Sequence, residues 1–208
     1  MTGEASAAYA ARAQEYTDLF GSMASVHEDD RDLVARWAAG LTGRVLDAGC
    51  GPGQWTDFLA RLGLDAEGVD LAEPFLERAR AEYPGVTFRR AALDDLGVPD
   101  GGLGGLLAWY SVIHTPPDTT DGAAVDDVLA EFARAVAPGG GLLVGYFRGP
   151  RVEPFDHKVT TAWFWPPEEL AARLDRAGFD VVATAERDEP GARPHGAVSA
   201  RRRAALTA

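Results

Sequence analysis

From Arg44 onward, short apolar runs alternate with stretches whose hydrophobic residues recur every three to four positions. The runs predict strands at Arg44 to Asp47, Ala66 to Asp70, Val86 to Arg90, Leu103 to Ser111 and Leu142 to Phe147, each followed by a helix or a long loop. That alternation is the signature of parallel βαβ units. Trp55, Phe58, Leu59 and Leu62 form one helical face closed by Gly63, and Pro74 opens a second helix carrying Phe75, Leu76 and Ala79. Asp121 is placed to cap a third, through Val125, Val128, Leu129, Phe132 and Val136, which stops before Pro138 and three glycines. Pro167 opens a fourth that ends at Gly178.

Two further segments flank this core. Ala5 to about Gly40 reads as two helices joined around Phe20 to Asp29, where Gly21 and Ser22 break the pattern, and is expected to form a helical cap over residues 1–40 ahead of a domain at 41–208. The tail predicts a strand at Phe179 to Ala185, a Pro/Gly loop through Pro194 and a strand at Ala197 to Arg202. With no helix between them these two strands must be antiparallel neighbours.

Composition narrows the function classes. A chain of 208 residues with 46% hydrophobic and 25% charged residues suits one soluble domain. Its 20 basic and 32 acidic residues give a net charge of -12, which disfavours nucleic acid and anionic membrane surfaces and favours small neutral or cationic partners. Cys50 is the single cysteine, the opening residues lack the basic and apolar regions of a signal peptide, and no apolar stretch approaches a membrane span. The expected location is the cytoplasm, as a monomer or homodimer.

The chemistry concentrates in VLDAGCGPG, Val45 to Gly53. A strand ends at Asp47 and runs through Gly49, Gly51 and Gly53 into a helix, so the backbone can approach a ligand where a Cβ would collide. A dinucleotide site requires G-x-G-x-x-G with pyrophosphate on the helix N-terminus, and Gln54 occupies the third position of that spacing. Asp47 would repel a pyrophosphate but attract an ammonium and a sulfonium, the charges S-adenosylmethionine carries. About 20 residues on, the next strand ends in GVDLAEP, where Asp70 either accepts both ribose hydroxyl hydrogens or charges the start of the following helix.

Together VLDAGCGPG, GVDLAEPFLERAR, the ALDDL stretch and AVAPGGGLLVGYF resemble the successive motifs of class I S-adenosylmethionine-dependent methyltransferases, over roughly Arg44 to Arg187. The resemblance implies an α/β fold: a three-layer, doubly wound, Rossmann-like sheet of seven strands, mostly parallel with the last antiparallel. It also implies S-adenosylmethionine as cofactor, S-adenosylhomocysteine as product and no metal. Gly49, Gly51 and Gly53 would line the methionine portion and Asp47 its amino group. Asp70, beside Leu71, would hold the ribose, Leu93 and Asp94 would flank the adenine, and Tyr110 would complete the cofactor set. Ala92 stands where the family usually has an acid, which leaves the adenine contact the least supported.

On the acceptor side, His114 in WYSVIHTPP, just past the fourth strand, is the candidate general base; the alternative is a histidine that only ties down the loop. His157 and His195 are weaker candidates. Tyr16 in the leading helix is a second candidate catalytic residue, with Tyr9 expected to pack. Phe155, Trp163, Phe164 and Trp165, in a long connection after the fifth strand, would either wall an apolar or aromatic acceptor pocket or cover sheet core. TPPD at Thr115 to Asp118 lacks the leading Asp or Asn and the closing aromatic of nucleic-acid amino-methylating enzymes, and no paired glutamates follow the fourth strand as protein-arginine methylation would want. No His/Cys/carboxylate spacing suits a metal. Methylation of a small-molecule O, N or C atom is the leading reading. A non-catalytic cofactor-binding module and a nicotinamide-dependent oxidoreductase are its rivals.

Overall fold

The apolar runs assemble into a nine-stranded sheet flanked by helices. The structure, a computed structural model, describes residues 21–118 and 124–204; the first leading helix with Tyr9 and Tyr16, and the Asp121 cap, lie outside the described residues. In chain order the elements are α1 (Glu28–Ala38), β1 (Arg44–Ala48), α2 (Gln54–Arg61), β2 (Asp65–Asp70), α3 (Glu73–Glu82), β3 (Thr87–Arg90), β4 (Leu103–Trp109), α4 (Val125–Ala135), β5 (Val136–Arg148), β6 (Glu153–Asp156), β7 (Thr161–Trp165), α5 (Pro167–Arg176), β8 (Phe179–Arg187) and β9 (His195–Arg202). Single 3-10 turns occupy Met23–Ser25 and Val112–His114.

Strands β3, β2, β1, β4 and β5 lie side by side in parallel. β9 then pairs antiparallel with β5, and β8 pairs antiparallel with β9 on its far edge. The hairpin expected from the tail is therefore present, and the last strand runs against its neighbours as expected.

Two expectations need correction. The sheet has nine strands rather than seven, because the long connection after β5 folds into a β6–β7 hairpin. Phe147 pairs with His195 across one edge of β5 and with Phe164 across the other, so β7 takes the edge that β4 leaves open when it ends at Trp109. In addition, α4 stops at Ala135 and Val136 already belongs to β5, through pairing with Leu103. The helix begins without a described side-chain cap of the expected kind; Asp127 Oδ2 instead accepts the Ala124 N–H at 2.9 Å.

The sheet is buried on both faces, which is why its central strands read as continuous apolar runs. Val45 points toward α1 and α2, packing with Val34, Ala38, Trp55 and Leu59. Its neighbours Leu46 and Ala48 point the other way, toward Val128, Leu129 and Phe132 of α4 and Leu170 and Leu174 of α5. Each such side chain removed from water contributes about 1.5–3 kcal/mol. α1 supplies Val34 and Ala38 to this core. α3 covers β2 and β3 through Leu76 and Ala79 against Phe88 and Cys50.

Candidate active site

The turn after β1 is tied to the end of β2. The Gly49 and Cys50 N–H groups both donate to Val69 O, at 2.7 and 2.9 Å, and the Gly51 N–H donates to Asp70 Oδ2 at 3.0 Å. The three glycines serve different ends. Gly49 has φ 81° and its missing side chain leaves room for Ser111. Gly53 has φ 90° as the residue capping α2, and a Cβ there would stand 2.8 Å from the Phe88 ring and 2.9 Å from Ala79. Gly51 alone of the three opens onto free space. Gly49 and Gly51 border the cavity described below, and Gly53 seats α2 against α3 and β3.

Both predicted acids are buried. Asp47, at the end of β1, is 1% exposed, and its Oδ2 accepts the Thr56 hydroxyl at 2.7 Å. Burial pushes its carboxyl up to about 7 against the pull of Thr56, with the nearby Asp70 charge adding to the rise. Asp70 is 3% exposed, and burial raises it too, opposed by backbone amides. Its Oδ1 accepts the Ala72 N–H at 2.8 Å, just before α3. Capping the helix entry and receiving a ligand are compatible, because a carboxylate offers about four lone-pair positions. Neither acid forms an ion pair with any described residue.

A cavity of about 520 Å³ lies beyond the carboxyl ends of the parallel strands, where open α/β sheets place their ligands. Asp47, Gly49 and Gly51 line one end; Tyr110, Phe147, His157 and His195 line the other. From β1 through β4 and β5 to β9 is three strand spacings, roughly 14 Å. Asp70, Leu71, Leu93 and Asp94 are not on this wall: Asp70 is buried beside the glycine turn, Leu93 is packed into the core, Leu71 is half-buried and Asp94 is exposed.

His114 does not reach the wall either. It is 4% exposed, its Nδ1 is 2.8 Å from Thr161 O, and its ring stands 5.2 Å behind that of His157. Burial lowers its pKa, and lowers that of His157 to about 4, where the His114, Arg193 and Lys158 charges add to the effect. In this structure the His114 ring is hydrogen-bonded to the Thr161 backbone. The aromatic quartet also sits differently from the pocket-wall expectation. Trp165 is fully buried core, Phe155 and Phe164 stack at 4.1 Å, and from this region Phe147 and His157 are the residues that face the cavity.

Sequence reasoning ranked His195 low and gave Tyr110 no acid–base role. The structure joins them by a hydrogen bond between Tyr110 Oη and His195 Nδ1. Beside them Arg187 holds Asp30 at 2.7 Å and also Glu189. The signals available in the sequence were Tyr110 at a strand end and a histidine opening the last strand; which strand His195 would face was not among them.

Comparison with known proteins adds a likeness of sequence and fold. Residues 45–140 match the family described as "Methyltransferase domain". A probable S-adenosylmethionine-dependent methyltransferase of Mycolicibacterium smegmatis is 30% identical over 166 residues, covering 76% of this chain and 59% of its own length. Trans-aconitate 2-methyltransferase of Methylobacterium nodulans is 35% identical over 118 residues, covering 54% of this chain and 42% of its own. The chain therefore spans less than two thirds of either relative. The crystal structure of Burkholderia thailandensis 1,6-didemethyltoxoflavin-N1-methyltransferase, with bound 1,6-didemethyltoxoflavin and S-adenosylhomocysteine, superposes with a TM-score of 0.80 over 97% of this chain and 88% of that one. At 21% identity that likeness is one of fold.

Proposed function

We propose that this chain, which is similar to S-adenosylmethionine-dependent methyltransferases over residues 45–140 and beyond, binds S-adenosylmethionine and transfers its methyl group to a small acceptor molecule of aromatic or apolar character. The observation that carries this reading is Asp47: a carboxylate 1% exposed, at the end of β1, with no cationic partner among the described residues. A buried acid without a cation is held at a free-energy cost, and a ligand presenting an ammonium relieves it. The Gly49 to Gly51 backbone supplies a cradle beside it, and Asp70 supplies a second buried acid for ribose hydroxyls. A pyrophosphate in the same place would add repulsion, which disfavours the nicotinamide reading.

When bound, the cofactor supplies an electrophilic methyl carbon on a sulfonium. The protein's part is to hold the acceptor in line with that carbon and keep water out. Asp47 and Gly51 would fix the donor end, and Phe147, His157 and Tyr110 would set the plane and distance of the acceptor at the opposite end. The aromatic rings suit a flat acceptor. Tyr16 lies outside the described residues, and His114 serves this reading by fixing the Thr161 backbone behind His157. Calorimetric titration with S-adenosylmethionine and S-adenosylhomocysteine tests the proposal. Saturable one-site binding of both is expected, and the absence of heat from either ligand removes both the enzyme reading and the cofactor-module reading.

A further inference from the structure

We propose that Tyr110 and His195 form the proton-accepting pair of this site, taking the proton of an ionisable O–H or N–H from a planar aromatic acceptor as it is methylated; the inference rests on the methyl-transfer reading above. Four observations converge. Tyr110 Oη and His195 Nδ1 are hydrogen-bonded to each other, and both residues line the cavity at the end away from the glycine turn. Tyr110 has φ 56°, the one positive φ of a non-glycine residue among those described. Such strain is kept where the surroundings over-determine it, typically at working sites. Here the Tyr110 N–H donates to Gly145 O at 3.0 Å, and the ring is gripped by Trp109 at 5.5 Å and Phe147 at 5.0 Å. His195 is fixed independently, opposite Phe147 in the β5–β9 register. Finally, the pair also borders a second cavity of about 200 Å³, so it faces open space and is not a packed core contact.

The charge environment fits the role. Burial raises the Tyr110 phenol far above its ordinary range, with the Asp30 charge adding to the effect, so it keeps its proton. Burial, then the Arg187 charge, lowers His195, which leaves a neutral imidazole to accept. The groups facing that imidazole are Arg187, His27, Glu189 and Asp188, and Arg187 is itself engaged by Asp30 and Glu189. An imidazolium formed there is opposed by burial and Arg187 and eased by Glu189 and Asp188, so His195 holds the proton in passing and is neutral at rest. The step balances as follows. The acceptor proton passes to Tyr110 Oη while the phenol proton moves to His195 Nδ1. The freed electron pair on the acceptor atom forms the bond to the methyl carbon, and the pair of the broken carbon–sulfur bond stays on sulfur as a neutral thioether. The positive charge lost at sulfur reappears on His195.

The test compares the full-length protein with Tyr110→Phe and His195→Gln, the latter keeping a hydrogen-bond acceptor that cannot hold the proton. Each is first titrated with S-adenosylhomocysteine, then assayed with S-adenosylmethionine and two probes near neutral pH: para-methoxyphenol, which is un-ionised, and a chloronitrophenol, which is already ionised. The expected result is measurable S-adenosylhomocysteine binding by both variants and, in each, a loss of turnover on para-methoxyphenol that exceeds its loss on the ionised phenol by roughly a hundredfold or more. Equal losses on both probes would reduce the pair to a packing role and overturn the proposal. So would wild-type protein that binds S-adenosylhomocysteine yet methylates neither phenol. Wild-type protein that binds no S-adenosylhomocysteine fails the underlying reading instead.

Discussion

Asp47 concentrates the physics of the site in one side chain. Its ordinary pKa is 3.8 and burial lifts it to about 7, so between those values the native state holds a proton the unfolded chain has released. Stability contributed by this group therefore falls as pH rises from about 4 to 7 and is level above that. Asp47→Asn removes the titration, and at pH above 7 the variant without ligand should be more stable by about 2 kcal/mol or more in denaturant unfolding. The same variant should lose S-adenosylhomocysteine affinity, and a variant that is less stable and binds as before would contradict the role. This residue was legible because strand end, acid and glycines are contiguous in the chain. Tyr110 and His195 were not. Nothing in WYS announces a positive φ, a conformation usually reserved for Gly, Asn or Asp, and the partner of His195 is fixed only by pairing 85 residues away in sequence.

At the level of elements, α2 and the turn before it act as one part. Gly53 lets the helix start close over Phe88 and Ala79, and that placement brings Thr56 within 2.7 Å of Asp47. Gly53→Ala forces a Cβ into φ 90° and into the Phe88 ring. It should destabilise the fold by roughly 2–4 kcal/mol and weaken cofactor affinity as well, because Thr56 moves with the helix; thermal unfolding and calorimetry on one sample read both. The βα alternation, helix faces and tail hairpin were readable from periodicity. The β6–β7 hairpin was not, since Pro154 interrupts a four-residue strand and the Trp and Phe cluster reads equally as a pocket wall. Trp165 in fact fills core, and the stacked Phe155–Phe164 pair stands behind Phe147.

Across the whole molecule, the Asp47 end of the cavity on β1 and its Phe147–His195 end on β5 and β9 belong to one continuous sheet. Ligand held at either end should therefore stabilise the domain as a unit. S-adenosylhomocysteine at about a hundred times its dissociation constant adds roughly 2.7 kcal/mol, an increase of about 5–10 °C in melting temperature for a chain of this size. A scan in which the ligand leaves the transition unmoved would argue against a site built into the sheet. The three-layer architecture was predictable because each βαβ unit is locally encoded, whereas the strand count depended on an insertion that pairs only with β5.

The threading of β9 between β5 and β8 has a consequence for how the protein comes into being. This strand leaves the ribosome after every other strand of the sheet, so a nascent chain carries β5 with an open edge and no His195 beside Tyr110. The Tyr110–His195 hydrogen bond therefore forms only once β9 has been made, and a chain stopped before that strand should lack it and carry an unpaired edge along β5.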